Sequence, residues 1–147
     1  MNKAHFYQVK VNWKENRKGT LSSNVLDENI TIATPPEFPK GEANVWSPEH
    51  YFVAAINGCL MTTFLAVAEN FKLNFVDFES DAEGKLEMVD RKFMMSEVIL
   101  KPTVTVSNED DVELAKKVLE KSENACLISN SVISKIKLEI TVKVKKD

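Results

Sequence analysis

Glycine, arginine, histidine and cysteine are all scarce in this 147-residue chain: four glycines, two arginines, two histidines and two cysteines. Each shortage excludes something. Two cysteines 67 residues apart, with no CxxC pair, rule out a disulfide-rich scaffold or a zinc ribbon. His5 and His50 fit no zinc-ligand spacing, so no metal and no cofactor is expected. The net charge of −3 gives no footprint for nucleic acid or an anionic membrane surface, and the Lys143, Lys145, Lys146 tail reads as a solvated strand end. The first residues, Met1 to His5, carry no apolar export stretch. A reducing cytoplasm is therefore expected, where a cysteine pair is more often catalytic or incidental than structural.

Long uncharged runs are absent with one exception, the eighteen residues from Tyr51 to Ala68. That length touches a membrane span. Asn57, Gly58, Thr62 and Thr63 interrupt it, and four of its residues are alanines, so it reads as a helix buried on most sides inside a protein or a dimer. Ser47-Pro48-Glu49 starts that helix: serine caps, proline loses no needed N–H, and glutamate offsets the positive end of the dipole.

Around this helix the pattern is of strands. Residues 5–13 alternate, with Phe6, Val9, Val11 and Trp13 as inward or partner-facing positions. Asn16-Arg17-Lys18-Gly19 reads as a turn, and strands are expected over 20–26 and 29–33. The segment 34–46, with Pro35, Pro36, Pro39 and Gly41, reads as an irregular loop. After the helix, 74–90 reads as a strand run interrupted by a turn or bulge at Glu83-Gly84, and 96–106 as a strand whose Pro102 suggests an edge or a bulge. A second helix is expected from Asp111 to about Glu123, with Val112, Ala115, Val118 and Leu119 on one face. Ser129–Ser134 suggests a further short helical turn, and 135–144 alternates strictly as a closing strand. The order points to one α+β domain over 1–147, with mostly antiparallel sheets and an apolar central helix. One sheet of this size cannot cover that helix, so a homodimer is expected.

Cys59 lies mid-helix. Taken alone, its position favours packing, because free cysteine behaves as a small hydrophobe and an apolar setting raises its pKa. Reactivity would require a cation beside it. Arg17, in its loop, could serve, or be an exposed turn residue. Glu49 lies ten residues before Cys59, about 15 Å along the axis if the helix is continuous, so a shared site requires a broken helix, a bridging arginine or Glu49 from a dimer partner.

Four segments together resemble the OsmC/Ohr superfamily of hydroperoxide-reducing proteins: Trp46-Ser47-Pro48-Glu49, Ala54-Ala55-Ile56-Asn57-Gly58-Cys59-Leu60, Ala125-Cys126-Leu127-Ile128-Ser129-Asn130-Ser131, and Asn16-Arg17-Lys18-Gly19. The resemblance spans essentially the whole chain. It implies an intertwined homodimer with sheets wrapped around two central helices and a site at the subunit interface. It further implies Cys59 as the peroxidatic cysteine, Arg17 as the cation beside it, Glu49 as the carboxylate orienting Arg17, and Cys126 as the resolving thiol. The implied activity is reduction of organic hydroperoxides, with hydrogen peroxide as a second substrate, and re-reduction by a dithiol such as a lipoylated protein. Phe38, Trp46, Tyr51 and Phe52 are candidates for an apolar substrate wall. The alternative on the same scaffold is a protein that binds a small apolar ligand or senses redox state. Leu127 stands where the best-known members of the family have proline.

Overall fold

Asparagine tolerates positive φ better than most residues, and Asn16 adopts it (φ 49°) to turn the chain between its first two strands. The computed structural model describes residues 3–146. By internal contacts the chain divides into two units, Met1–Tyr51 and Phe52–Asp147.

The first unit is an antiparallel meander in the order β1 (Lys10–Glu15), β2 (Lys18–Ser22), β3 (Ile30–Ala33). The turn is tighter than the expected four residues, because Lys18 and Gly19 already pair in β2. Gly19 is required there: a Cβ would come within 2.6 Å of the Asn12 carbonyl oxygen. β1 begins at Lys10, later than the alternation from His5 suggested. Phe6, Val9, Val11 and Trp13 are 63–88% exposed on this chain, so they are not inward positions.

The first helix, α1 (Pro48–Asn70), starts as the sequence predicts. Ser47 is fully buried, its Oγ accepts from the His50 amide at 3.2 Å, and its carbonyl accepts from the Tyr51 amide at 3.0 Å. The helix ends without a glycine. Lys72 takes the left-handed conformation (φ 54°), so that the Leu73 amide reaches the Ala68 carbonyl (2.9 Å) and the Lys72 amide the Glu69 carbonyl (3.1 Å).

In the second unit, β4 (Asp77–Val89) and β5 (Lys92–Val106) form a long hairpin. Its turn is Asp90-Arg91, both at positive φ, and not Glu83-Gly84. β4 runs straight through Gly84, whose missing side chain leaves space filled by Val53 Cγ2 and Met95 Cε. The ladder shifts two residues later, where Lys85 faces Glu97 but Leu86 faces Met95, leaving Ser96 as the extra residue.

Pro102 is central, not on an edge. β5 is flanked by β4 on one side and by β6 (Lys135–Leu138) and β7 (Thr141–Val144) on the other, both parallel to it. Leu100 faces Leu138 and Thr103 faces Thr141, so the closing segment keeps one register across the gap between β6 and β7. The Leu100 carbonyl accepts from Glu139 (2.8 Å), which directs the groups of Pro102, two residues on, to the same side. Proline has no N–H to donate there, so the ladder lapses while the strand path continues.

α2 (Val112–Ala125) follows a single 3₁₀ turn, and Ala115, Val118 and Leu119 are fully buried, as its periodicity predicts. They pack with Phe64, Ala68, Leu73, Val104 and Val106, while Ile56, Leu60, Val98 and Leu100 form a second cluster. One face of α1 thus supplies both clusters. The expectation of a helix covered on most sides is not met within the chain: Ala55, Gly58, Met61, Thr62, Leu65 and Ala66 face outward. By length and composition alone, α1 could cross a membrane. The whole is α+β, with one antiparallel and one mixed sheet.

Candidate active site

Cys59 lies on the inner face of α1, between Ile56 and Leu60 on one side and Thr63 one turn later. Cys126 is the residue at which α2 stops. Its φ/ψ of −66°/110° leaves the helical region, while its amide still bonds the Glu123 carbonyl at 3.2 Å. The chain then folds back through a 3₁₀ turn, Ser129–Ser131, closed by the Asn130 amide on the Cys126 carbonyl (3.0 Å). That turn brings the segment after α2 against α1, and residues 67 positions apart meet. Both cysteines are unpaired thiols, Cys59 9% exposed and Cys126 fully buried.

The two sulfurs have opposite electrostatic fates. Burial disfavours the Cys59 thiolate and is the largest single influence on it. The Cys126 S–H, the Ile128 amide, the Thr63 hydroxyl (3.8 Å) and the Leu127 amide all favour the anion, and together they outweigh burial. Cys59 is therefore held below the usual thiol range. Cys126 is pushed above it, first by burial and then by its role as donor to Cys59, although the Ser129 hydroxyl and amide partly offset this. One thiol is prepared to ionise and its neighbour to stay protonated. This arrangement suits attack by Cys59 and a later response from Cys126. These donors to Cys59 come from α1 and from the segment that follows α2.

The remaining candidates divide between the two units. Arg17 sits exposed in the β1–β2 turn, its carbonyl accepting from the Thr34 amide at 3.1 Å, and Glu49 is half-buried in the first turn of α1. Among the described residues no ion pair involves either. Trp46 stacks on Tyr51 (centroids 5.3 Å, 28°), and the Tyr51 hydroxyl donates to the Thr31 carbonyl at 2.7 Å. These two aromatics line an open groove of about 520 Å³ together with Lys18, Ile30, Thr31, Asn44 and Val45. Phe38 is half-buried in the proline loop. Phe52 is half-buried and packs against the Ile56–Leu60–Val98–Leu100 cluster.

Sequence reading did not single out Thr63, Ser129 or the amides of Leu127 and Ile128, which lie at the two sulfurs. Thr63 had a legible signal, standing four residues from Cys59 on one helical face. The amides had none, because the fold-back after α2 is a tertiary feature. Among the described residues no cluster of metal-ligating side chains forms.

Comparison with known proteins shows the family and the fold. The family model for OsmC-like proteins matches residues 41–141. An uncharacterized Bacillus subtilis protein, YmaD, is 30% identical over 146 residues, covering 96% of this chain and 95% of its own. An OsmC-like protein of unknown function from Vibrio cholerae superposes with a TM-score of 0.83 at 23% identity, over 93% of this chain and 99% of that one. An organic hydroperoxide resistance protein from Elizabethkingia anophelis superposes at 0.79 with 19% identity, over 99% and 100%. The family match and the full-length relative place this chain in the OsmC-like protein family.

Proposed function

We propose that this chain is a cytoplasmic, homodimeric thiol peroxidase that reduces organic hydroperoxides through Cys59 and Cys126. The observation that carries the reading is the juxtaposition of two free thiols, with Cys59 biased toward thiolate by donors that include Cys126 itself. The name of the Elizabethkingia neighbour supports the substrate class. The Cys59 thiolate attacks a peroxide oxygen and the O–O bond breaks. The products are Cys59 sulfenic acid and an alkoxide, which takes a proton to become the alcohol. The Cys126 sulfur then attacks the sulfenic sulfur, forming the disulfide and releasing water. A dithiol, for which a lipoylated protein is the candidate class, reduces the disulfide and restores both thiols. In the family pattern, Arg17, oriented by Glu49, adds a cation to the assembled site. The outward face of α1, with Gly58 and Ala55, is the surface a second copy would cover.

The test is mass spectrometry after one equivalent of cumene hydroperoxide, alongside steady-state peroxide consumption with a dithiol donor. A Cys59–Cys126 disulfide in the wild type, and no turnover in Cys59→Ser, are expected. Undiminished turnover by Cys59→Ser would end the proposal. Thiols left intact by peroxide would favour a ligand-binding role on the same scaffold.

A further inference from the structure

Glu123 occupies the last turn of α2, where the helix dipole is negative and a carboxylate is unfavourable. Its Oε2 is buried, and so is the Oγ of Ser129, which is 9% exposed; among the described residues neither atom has a well-formed hydrogen-bond partner. Buried polar atoms without a well-formed hydrogen bond cost stability and call for an explanation. Their location suggests one. Ser129 lies against the Cys126 sulfur with both its hydroxyl and its amide, and the same hydroxyl approaches the Glu123 carboxyl. Carboxyl, hydroxyl, resolving thiol and attacking thiol thus follow one another in a row.

We propose that Glu123, acting through the Ser129 hydroxyl, is the proton acceptor that activates Cys126 for disulfide closure. The proposal rests on the two-cysteine reading above. Cys126 must lose its proton to attack the sulfenic sulfur, yet burial and its donation to Cys59 both hold that proton on. In the relay, the Cys126 proton moves to Ser129 as the Ser129 proton moves to the Glu123 carboxylate. The S–S bond forms, the S–O bond breaks, and hydroxide departs. Glu123 gives the proton back through Ser129 to the departing hydroxide, which leaves as water. No outside oxidant or reductant enters. Burial raises the Glu123 pKa, the Ser129 hydroxyl opposes it, and no charged side chain contributes. A carboxylate shifted toward neutrality is a better base than an ordinary one. Glu123 acts through Ser129 and is a positioning residue for the proton, not a group touching the reacting sulfurs.

The test follows closure of the Cys59–Cys126 bond in wild type, Glu123→Gln, Glu123→Asp and Ser129→Ala, across pH, with two oxidants: cumene hydroperoxide, and diamide, which needs no peroxidase site. With either oxidant, Glu123→Gln should close on the order of 100-fold more slowly near neutrality. Its peroxide-treated form should accumulate dimedone-reactive sulfenic acid, and its rate should climb toward wild type as pH rises into the thiol range. Glu123→Asp should recover part of the loss, and Ser129→Ala should behave like Glu123→Gln. Closure by Glu123→Gln at the wild-type rate, or slowing equal at every pH as misfolding would produce, overturns the relay. Failure of the wild type to close with either oxidant also overturns it. Closure with diamide but not with peroxide leaves the relay standing and removes the peroxidase.

Discussion

Replacing Cys126 with alanine should make Cys59 harder to ionise, even though Cys126 takes no part in the first chemical step. The Cys126 S–H is the largest of the influences favouring the Cys59 thiolate, and it acts where water screens little, since the two residues are 9% and 0% exposed. A hydrogen bond to a charged group contributes about 1.5–3 kcal/mol net. A thiol is a weak donor, so the lower end, about 1.5 kcal/mol, is appropriate. Since about 1.4 kcal/mol is a factor of ten, roughly a tenfold loss of thiolate is expected at pH values where Cys59 is only partly ionised. The Thr63 hydroxyl and the Leu127 and Ile128 amides remain, so the shift is partial. Water admitted to the space left by the sulfur would ease desolvation and reduce the loss. The assay is the rate of Cys59 alkylation by iodoacetamide against pH, read by mass spectrometry. Wild type and Cys126→Ala should converge at alkaline pH, where both are thiolate, and separate below it with the variant slower. Coincident profiles, or a variant faster at low pH, would show that Cys126 is not a donor to Cys59.

Two further outcomes follow from packing and linkage. Phe64 is fully buried and meets Phe75 (5.1 Å, edge-on) and Phe78 (4.8 Å) at the joint between α1 and the sheet. Phe64→Ala should therefore cost about 3–5 kcal/mol, read as a lowered urea midpoint, and a loss below about 1 kcal/mol would contradict that core. Burial raises the folded-state pKa of Glu123, so the fold favours its neutral form. Its penalty is absent below the unfolded carboxylate range, near about 4.3, and sets in as pH rises through the folded value. Glu123→Gln should accordingly be more stable than wild type at neutral pH and equal to it in acid; a pH-independent difference in urea midpoint would refute the assignment.

The amino-acid order by itself determined the parts whose causes are local. Ser47-Pro48 had to begin a helix, because a cap and a proline act within four residues. Ala115, Val118 and Leu119 had to share a face, because periodicity is a property of one helix. Alternation through 135–144 marked a strand whose sides stayed in register even across the break opposite Pro102. Contacts between distant segments were decided only by tertiary structure. Gly84 reads as a turn until Val53 and Met95 are seen filling the space beside it. Cys59 in isolation reads as a packing residue in an apolar helix, because desolvation is all a one-dimensional view contains. Its lowered pKa arises from Thr63 one helical turn away and, more, from donors more than sixty positions away at and after the end of α2.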